Sequence, residues 1–349
     1  MMDILITIIS FLFMLSFLVL IHELGHFFVA RFLGIEVLEL GLGFPPKFKS
    51  LNRHGIEYSL NLIPFGGFVR LKGESDPGLP GGFASKRLRD RFLVIFAGPL
   101  MNFILAWVIF SGLSLYLQDI KSADLVIESV VVNSPAEMAG LQPGDRLVLI
   151  NNVKIDTLDD LTELVNDSER YPLSVSINRQ GKSMDLTLTP RDKSSKDEGK
   201  IGVKLKLENV ETRSIPVWKA PYMGLRWGIS NTGLIFNEIK NMINGDSKPD
   251  ISGPLGIAQV TGEAVEAGLL PFLYLVGILS LNLGILNLLP IPSLDGGRLP
   301  FLFLEFIRRG KKIPPQMEAT VHFVGFIILL SLIFIVTVGV DIPRLLNKD

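Results

Sequence analysis

The chain has 349 residues, no cysteine, a formal net charge of −1 and 48% hydrophobic residues, with a mean hydropathy of +0.40. The lack of cysteine excludes disulfides and thiolate metal ligands together, leaving histidine and carboxylates to hold any metal. The balanced charge gives no electrostatic footprint for nucleic acid, and the hydropathy points to a membrane protein with a polar part.

The apolar run from Ile4 to Leu33 exceeds the length of about 20 residues needed to cross a bilayer. It starts beside Asp3 rather than a basic cluster, is longer than a signal-peptide core and is followed by no small-residue cleavage pattern, so it is expected to be a retained span. Inside it lies LIHELGHF, residues 20 to 27. His22 and His26 are four apart and share one face of a helix, where they can hold one zinc ion. Glu23 takes the place of the general base in HExxH. So short a pattern also arises by accident, and in a soluble helix a buried histidine is most often a hydrogen-bonded core residue. In lipid no water satisfies such a group, which favours the functional reading. Arg31 can snorkel to the interface and Gly34 suits the helix end.

From Ile35 to Arg91 the chain is rich in glycine, proline and basic residues, which marks a cytoplasmic loop. Gly55 to Leu62 and Gly67 to Lys72 alternate apolar and polar residues around Ile63-Pro64-Phe65-Gly66, and predict a membrane-associated β-hairpin. Gly66 and Gly67 would let its backbone approach an extended peptide; an ordinary turn is the plainer alternative. The second span, Phe92 to Leu117, carries Gly98 and Pro99, which permit a kink or a close helix contact. It also carries Asn102, for which an interhelical hydrogen bond is the expected role.

Ser122 to Leu207 reads as a soluble α+β domain: strands at Leu125 to Val132, Asp145 to Asn151, Val153 to Ile155, Leu173 to Asn178 and Ser183 to Thr189, with helices at Ser134 to Gly140 and Leu158 to Val165. Its phrase SPAEMAGLQPGDRLVLINNVKI resembles the core of a bacterial PDZ domain, which implies peptide recognition by strand addition beside a helix. In the permuted arrangement of such domains the carboxylate-binding loop comes last, which points to Lys200 with Ile201, Gly202 and Val203 as the peptide groove. Gly41-Leu42-Gly43-Phe44 spells a similar loop but precedes the second span and is excluded by position. A β-rich spacer with an unused groove is the alternative. Ile215 to Asn244, with Trp218, Tyr222 and Trp227, suggests an amphipathic helix at the membrane interface or, equally, one docked on a soluble domain. Gly245 to Gly256 reads as a loop.

The third span, Leu269 to Leu289, runs into Pro290-Ile291-Pro292-Ser293-Leu294-Asp295. Two prolines two apart end regular helix, and unwound backbone at membrane depth is tolerated only where it is buried in protein or lines a wet cavity. Asp295 there can be the third metal ligand, leaving a fourth position for water. Taken by itself it could equally cap the helix that follows. A fourth span, Val321 to Val340, follows Arg308, Arg309, Lys311 and Lys312. The positive-inside rule puts both basic loops in the cytoplasm and the N-terminus and PDZ-like domain outside, which brings HELGH and Asp295 to similar depth. The expected fold is a polytopic α-helical membrane protein with four transmembrane helices and an inserted extracytoplasmic α+β PDZ-like domain.

HELGH in the first span, GFVRLKG in the loop, AGPLMN in the second span, one PDZ-like insert, SGPLGI before the third span and NLLPIPSLDGG after it resemble the site-2 protease family of intramembrane zinc metalloproteases. The match is to its bacterial regulator of sigma-E protease group. The resemblance implies Zn(2+) on His22, His26 and Asp295, with Glu23 as general base. It implies substrate binding by Asn287 and the strand at Gly66, Gly67 and Phe68, with Asn282, Pro290 and Pro292 nearby. Its implied substrates are single-pass membrane proteins, such as anti-sigma factors already trimmed by another protease or remnant signal peptides, cleaved in the bacterial inner membrane toward the cytoplasmic side. Members with two PDZ domains differ from this chain, so paired gating does not carry over. A non-enzymatic PDZ scaffold and a metal transporter are the rival classes. The intact Glu23 speaks against the first, and the single HExxH, rather than ligands strung along a path, against the second.

Overall fold

In the computed structural model the described residues are 2–74, 76, 78–116, 119–168, 171–191, 199–244 and 252–346. They fall into two compact units, Met1–Leu113 with Ala220–Asp349, and Ser114–Lys219. Among the described residues, four helical stretches are long and apolar enough to cross a membrane: Ile4–Phe32, Leu88–Tyr116, Leu269–Leu288 and Pro315–Arg344.

Helix α1 (Met2–Phe32) is apolar all round, as expected of a segment whose outer face meets lipid. It closes at Gly34, where φ is +67°. Ile35 N–H returns to Ala30 O at 2.9 Å and Gly34 N–H to Arg31 O at 3.0 Å, which satisfies two of the carbonyls a helix end leaves free. The chain then enters β1 (Val37–Arg53) and β2 (Ile56–Leu71), a long antiparallel pair.

The pairing corrects the expected hairpin. Leu40 stands opposite both Tyr58 and Val69, so the two segments read as hairpin partners do not pair with each other but flank the first half of β1 on opposite sides. That half was unreadable as a strand because its Gly-x-Gly and the Pro45-Pro46 that follows carry loop composition. Helix α2 (Leu88–Tyr116) packs closely on α1: a Cβ on Gly25 would lie 2.2 Å from Ala97 O. Phe27, Ala30, Ile35, Leu40, Val94 and Ile95 form the buried cluster joining α1, β1 and α2.

The second unit follows the expected order of elements and adds a last strand, Val203–Arg213, that was not expected. It contains β3 (Asp119–Val130), α3 (Pro135–Met138), β4 (Arg146–Ile150), β5 (Val153–Lys154), α4 (Leu158–Asp167), β6 (Leu173–Arg179), β7 (Lys182–Leu188) and β8 (Val203–Arg213). The sheet runs β7-β6-β4-β3-β8, with β5 on β4. Alternate residues such as Leu125, Ile127, Leu173, Val175 and Ile177 turn inward to the core, the period-two pattern of a half-buried strand. Thr157 and Asp160 cap α4 reciprocally, side chain to backbone. Burial raises the pKa of Asp145, but the Arg179 guanidinium and the Gln142 N–H outweigh it and hold the carboxyl below its ordinary range.

The chain returns to the first unit with α5 (Ala220–Ile243), and α6 (Pro254–Ala267) follows. Of the expected loop at 245–256, residues 245–251 lie outside the described residues, and its end is already helix. The reason lies far along the chain. Asp341, 1% exposed, accepts Gly253 N–H at 2.9 Å and Leu255 N–H at 3.1 Å, and so caps α6 from the end of the fourth span. Helix α7 (Leu269–Leu288) leads through a single 3-10 turn, Asp295–Arg298, to α8 (Leu299–Ile307). Helix α9 (Pro315–Val336) continues through a π turn, Thr337–Asp341, into α10 (Ile342–Leu346). Buried Arg91, near the start of α2, pairs with buried Glu305 on α8, tying these elements together.

Candidate metal centre

His22 and His26 project from one face of α1, their Nε2 atoms 3.3 Å apart. The carboxylate that meets them comes from 273 residues away: Asp295 Oδ2 lies 2.8 Å from His22 Nε2 and 3.2 Å from His26 Nε2. Local sequence puts it there. Helix α7 stops at Leu288, with Leu289 extended at φ −65° and ψ 144°, since Pro290 and Pro292 cannot continue the ladder. The chain then folds back on the helix end so tightly that a Cβ on Gly296 would lie 2.2 Å from Leu289 O, and one on Gly297 2.4 Å from Ile291 O. The capping alternative for Asp295 is not realised. The residue before α8 is Arg298, which makes no side-chain cap, and the Asp295 carboxylate faces the imidazoles.

The outer nitrogens of both rings are also engaged. His26 Nδ1–H donates to Val94 O at 2.7 Å, which fixes the tautomer and leaves the Nε2 lone pair toward the cluster. Asn102, wholly buried on α2, brings its side-chain amide to 3.0 Å from His22 Nδ1. The amide nitrogen Nδ2 stands nearest the ring, while Oδ1 has no hydrogen-bond partner among the described residues; turned over, the amide would accept from His22 Nδ1–H and give His22 the same tautomer as His26. Asn102 O in turn accepts Ser280 Oγ–H at 2.8 Å, linking α2 to α7.

The donor set fits zinc. A tetrahedral zinc with bonds of about 2.0–2.1 Å holds its ligand atoms about 3.3 Å apart, close to the spacing of the two imidazole nitrogens and the carboxylate oxygen, which all lie within 4.8 Å of one another. Gly98 keeps this space open: a Cβ there would lie 2.2 Å from His26 Nε2 and 2.8 Å from His22 Nε2.

A cavity of about 560 Å³ opens on the cluster, lined by Glu23, Asn287, Gly66, Gly67 and Phe68 besides the three donors. Strand β2 runs tight against it, for a Cβ on Gly67 would stand 2.8 Å from Val19 Cγ1 and 3.0 Å from Glu23 Cγ. Arg298 Nη2 donates to Glu74 Oε1 at 2.7 Å and so ties the Asp295 turn to the chain just beyond β2.

Other expected site residues fall elsewhere. Asn282 does not line the cavity; five residues from Asn287, it points about 140° away around the helix. Pro290 is exposed, and Pro292 packs against Gly325 of α9 rather than lining the cavity. In the second unit Ile201 and Gly202 lead into Val203 at the start of β8, held by Ala136 N–H to Ile201 O and Val131 N–H to Gly202 O, both 2.9 Å. Sequence reasoning foresaw an interhelical bond for Asn102 but not its partner. The signal was present: Gly98 and Asn102 stand four apart and therefore share a helix face, as the two histidines do.

The family model for peptidase family M50 matches residues 10–332. The chain belongs to peptidase family M50. Among curated relatives, zinc metalloprotease RasP of Shouchella clausii is 31% identical, the match covering 98% of this chain and 100% of the relative. Zinc metalloprotease RasP of Geobacillus kaustophilus is 32% identical over 95% of this chain and 96% of its own length. The Enterococcus faecalis protease eep is 30% identical over 97% and 99%.

Replacing Asn102 by alanine should leave His22 Nδ1 without its partner and lower zinc affinity by about 10- to 100-fold. Competition with a metal chelator checks this; an unchanged affinity would show that Asn102 has no part in orienting His22.

Proposed function

We propose that this chain, a zinc metalloprotease of peptidase family M50, hydrolyses peptide bonds in or beside the transmembrane segments of single-pass membrane proteins. The observation that carries the reading is the meeting of three donor atoms, two from α1 and one from the distant Asp295 turn, at a cavity that also takes Glu23. His22, His26 and Asp295 would hold the zinc, which when bound supplies Lewis acidity toward a water molecule and the scissile carbonyl. Glu23 receives the proton of the attacking water and later passes it to the leaving amine.

A transmembrane helix hides its peptide bonds in its own hydrogen-bond ladder, so the substrate must unwind before Glu23 can act on it. The segment from Gly67 to Leu71 pairs on one side with the first half of β1, and its other side carries no strand among the described residues. That free edge, beside Glu23, is suited to receive an unwound peptide by strand addition. Buried Asn287, on the cavity wall, would hold the same stretch through its side-chain amide.

The basic loops argue for a site toward the cytoplasmic side of a bacterial inner membrane, with the sheet-rich unit outside. We read that unit as PDZ-like, with Ile201, Gly202 and Val203 as the groove for a peptide ligand, and as a filter that rejects substrates still bulky outside the membrane. Trp218 and Tyr222, 79% and 65% exposed, are suited to the headgroup level. Anti-sigma factors trimmed by another protease and remnant signal peptides are the substrate types with the required single short span.

With a model transmembrane substrate, Glu23→Gln should lower the cleavage rate by about 10²–10⁴-fold while zinc content stays at the native level. Native-rate cleavage by this variant would reject the mechanism; zinc-dependent ion flux without proteolysis would favour transport. Deleting residues 122–207 should let untrimmed substrate be cut, and unchanged discrimination would reject the filter.

A further inference from the structure

We propose that the fourth span positions the third metal ligand, with His322 and Gly325 of α9 clasping the Pro292-Ser293 turn so that Asp295 faces the two histidines. The inference rests on the metal centre described above and adds two residues that are in neither HELGH nor the Asp295 motif.

Two independent contacts support it. Ser293 N–H donates to His322 Nδ1 at 3.1 Å. Gly325 meets the preceding residue so closely that a Cβ would lie 2.3 Å from Pro292 Cβ and 2.7 Å from Pro292 O. Residues three apart are neighbours on a helix surface, so one face of α9 makes both contacts. The Phe301 ring, its centroid 6.0 Å from that of His322, flanks the imidazole from α8.

The turn needs such a clasp. Ser293 has φ +82°, a left-handed conformation that a residue with a side chain adopts only when its surroundings impose it. Within the turn Leu294 N–H returns to Ile291 O at 3.2 Å and Gly297 N–H to Leu294 O at 3.0 Å, whereas Ser293 N–H goes to the imidazole. Asp295 follows two residues later. If the Ser293 contact is lost, the turn can relax toward an ordinary conformation and swing the carboxylate away from His22 and His26. Because His322 accepts at Nδ1, its ring proton sits on Nε2, a buried atom with no hydrogen-bond partner among the described residues, while the residue lines the same cavity. His322 is thus a positioning residue, acting through Ser293 on Asp295.

The test separates the two ring nitrogens. His322→Asn keeps an acceptor oxygen near the Nδ1 position, His322→Gln moves its amide out toward Nε2, and His322→Ala has neither. Zinc affinity by chelator competition and the d–d spectrum of the cobalt-substituted protein are read on full-length protein in detergent. Thermal unfolding of the same samples checks that each variant is folded. Alanine and glutamine should each weaken zinc binding by about tenfold or more and shift the cobalt spectrum, while asparagine stays near the native value. Gly325→Ala, which pushes α9 off Pro292, should reproduce the alanine result. Native affinity in the alanine and glutamine variants overturns the proposal, as does an asparagine variant that loses zinc as fully as alanine. Asp295→Ala serves as the reference: if it loses zinc while His322→Ala does not, only the clasp is rejected. If it retains zinc, the metal centre itself is wrong and the clasp falls with it.

Discussion

The structure depends on one break in a helix. The carboxylate that reaches the two imidazoles of α1 stands where its own chain has left helical geometry, and backbone released from its ladder at membrane depth must find other partners. After Leu288 both demands are met together. The prolines end α7, Gly296 and Gly297 let the chain press back against the helix it has just left, and the recoil carries Asp295 to His22 and His26. The neighbouring elements act as supports for that turn: Arg298 reaches Glu74, and α9 lies against Pro292 and Ser293.

Close approach is the second theme, and glycine supplies it wherever the centre is crowded. Gly25 lets α1 meet the backbone of α2, Gly98 leaves space in front of both histidines, and Gly67 brings β2 against Glu23. A side chain at any of these positions would separate elements whose donor atoms must converge to within a few tenths of an ångström. The same crowding explains the polar residues inside the helices. Asn102 is wholly buried and serves two helices at once, His22 by its side chain and Ser280 by its carbonyl. A polar group in lipid is costly unless it is partnered, so its position is constrained from both sides.

The site was more legible in the sequence than the pairing around it. His22, Glu23, His26 and Asp295 could be read because ionisable residues stand out in apolar runs, and because two prolines announce an unwound segment. The β1–β2 pairing was hidden because its central half has loop-like composition, and a strand that pairs on both sides with one partner strand leaves no simple alternation to count. The cap of α6 by Asp341 and the contacts of His322 were out of reach for a different reason. Each joins elements far apart in the chain through a single side chain, with no spacing pattern to betray it. The resemblance gave Asn287 the binding role and set Asn282 beside it; Asn287 stands on the cavity wall, and the turn of the helix carries Asn282 away from it.

The geometry calls for one zinc between α1 and the Asp295 turn, held by two imidazoles and one carboxylate. Zinc K-edge absorption on the purified full-length protein tests it most directly. The expected result is one zinc per chain in a four-coordinate shell of two imidazole nitrogens and two oxygens, with the imidazole scattering lost when His22 and His26 are both replaced. A zinc shell without imidazole scattering, or one unchanged by that double replacement, would contradict it.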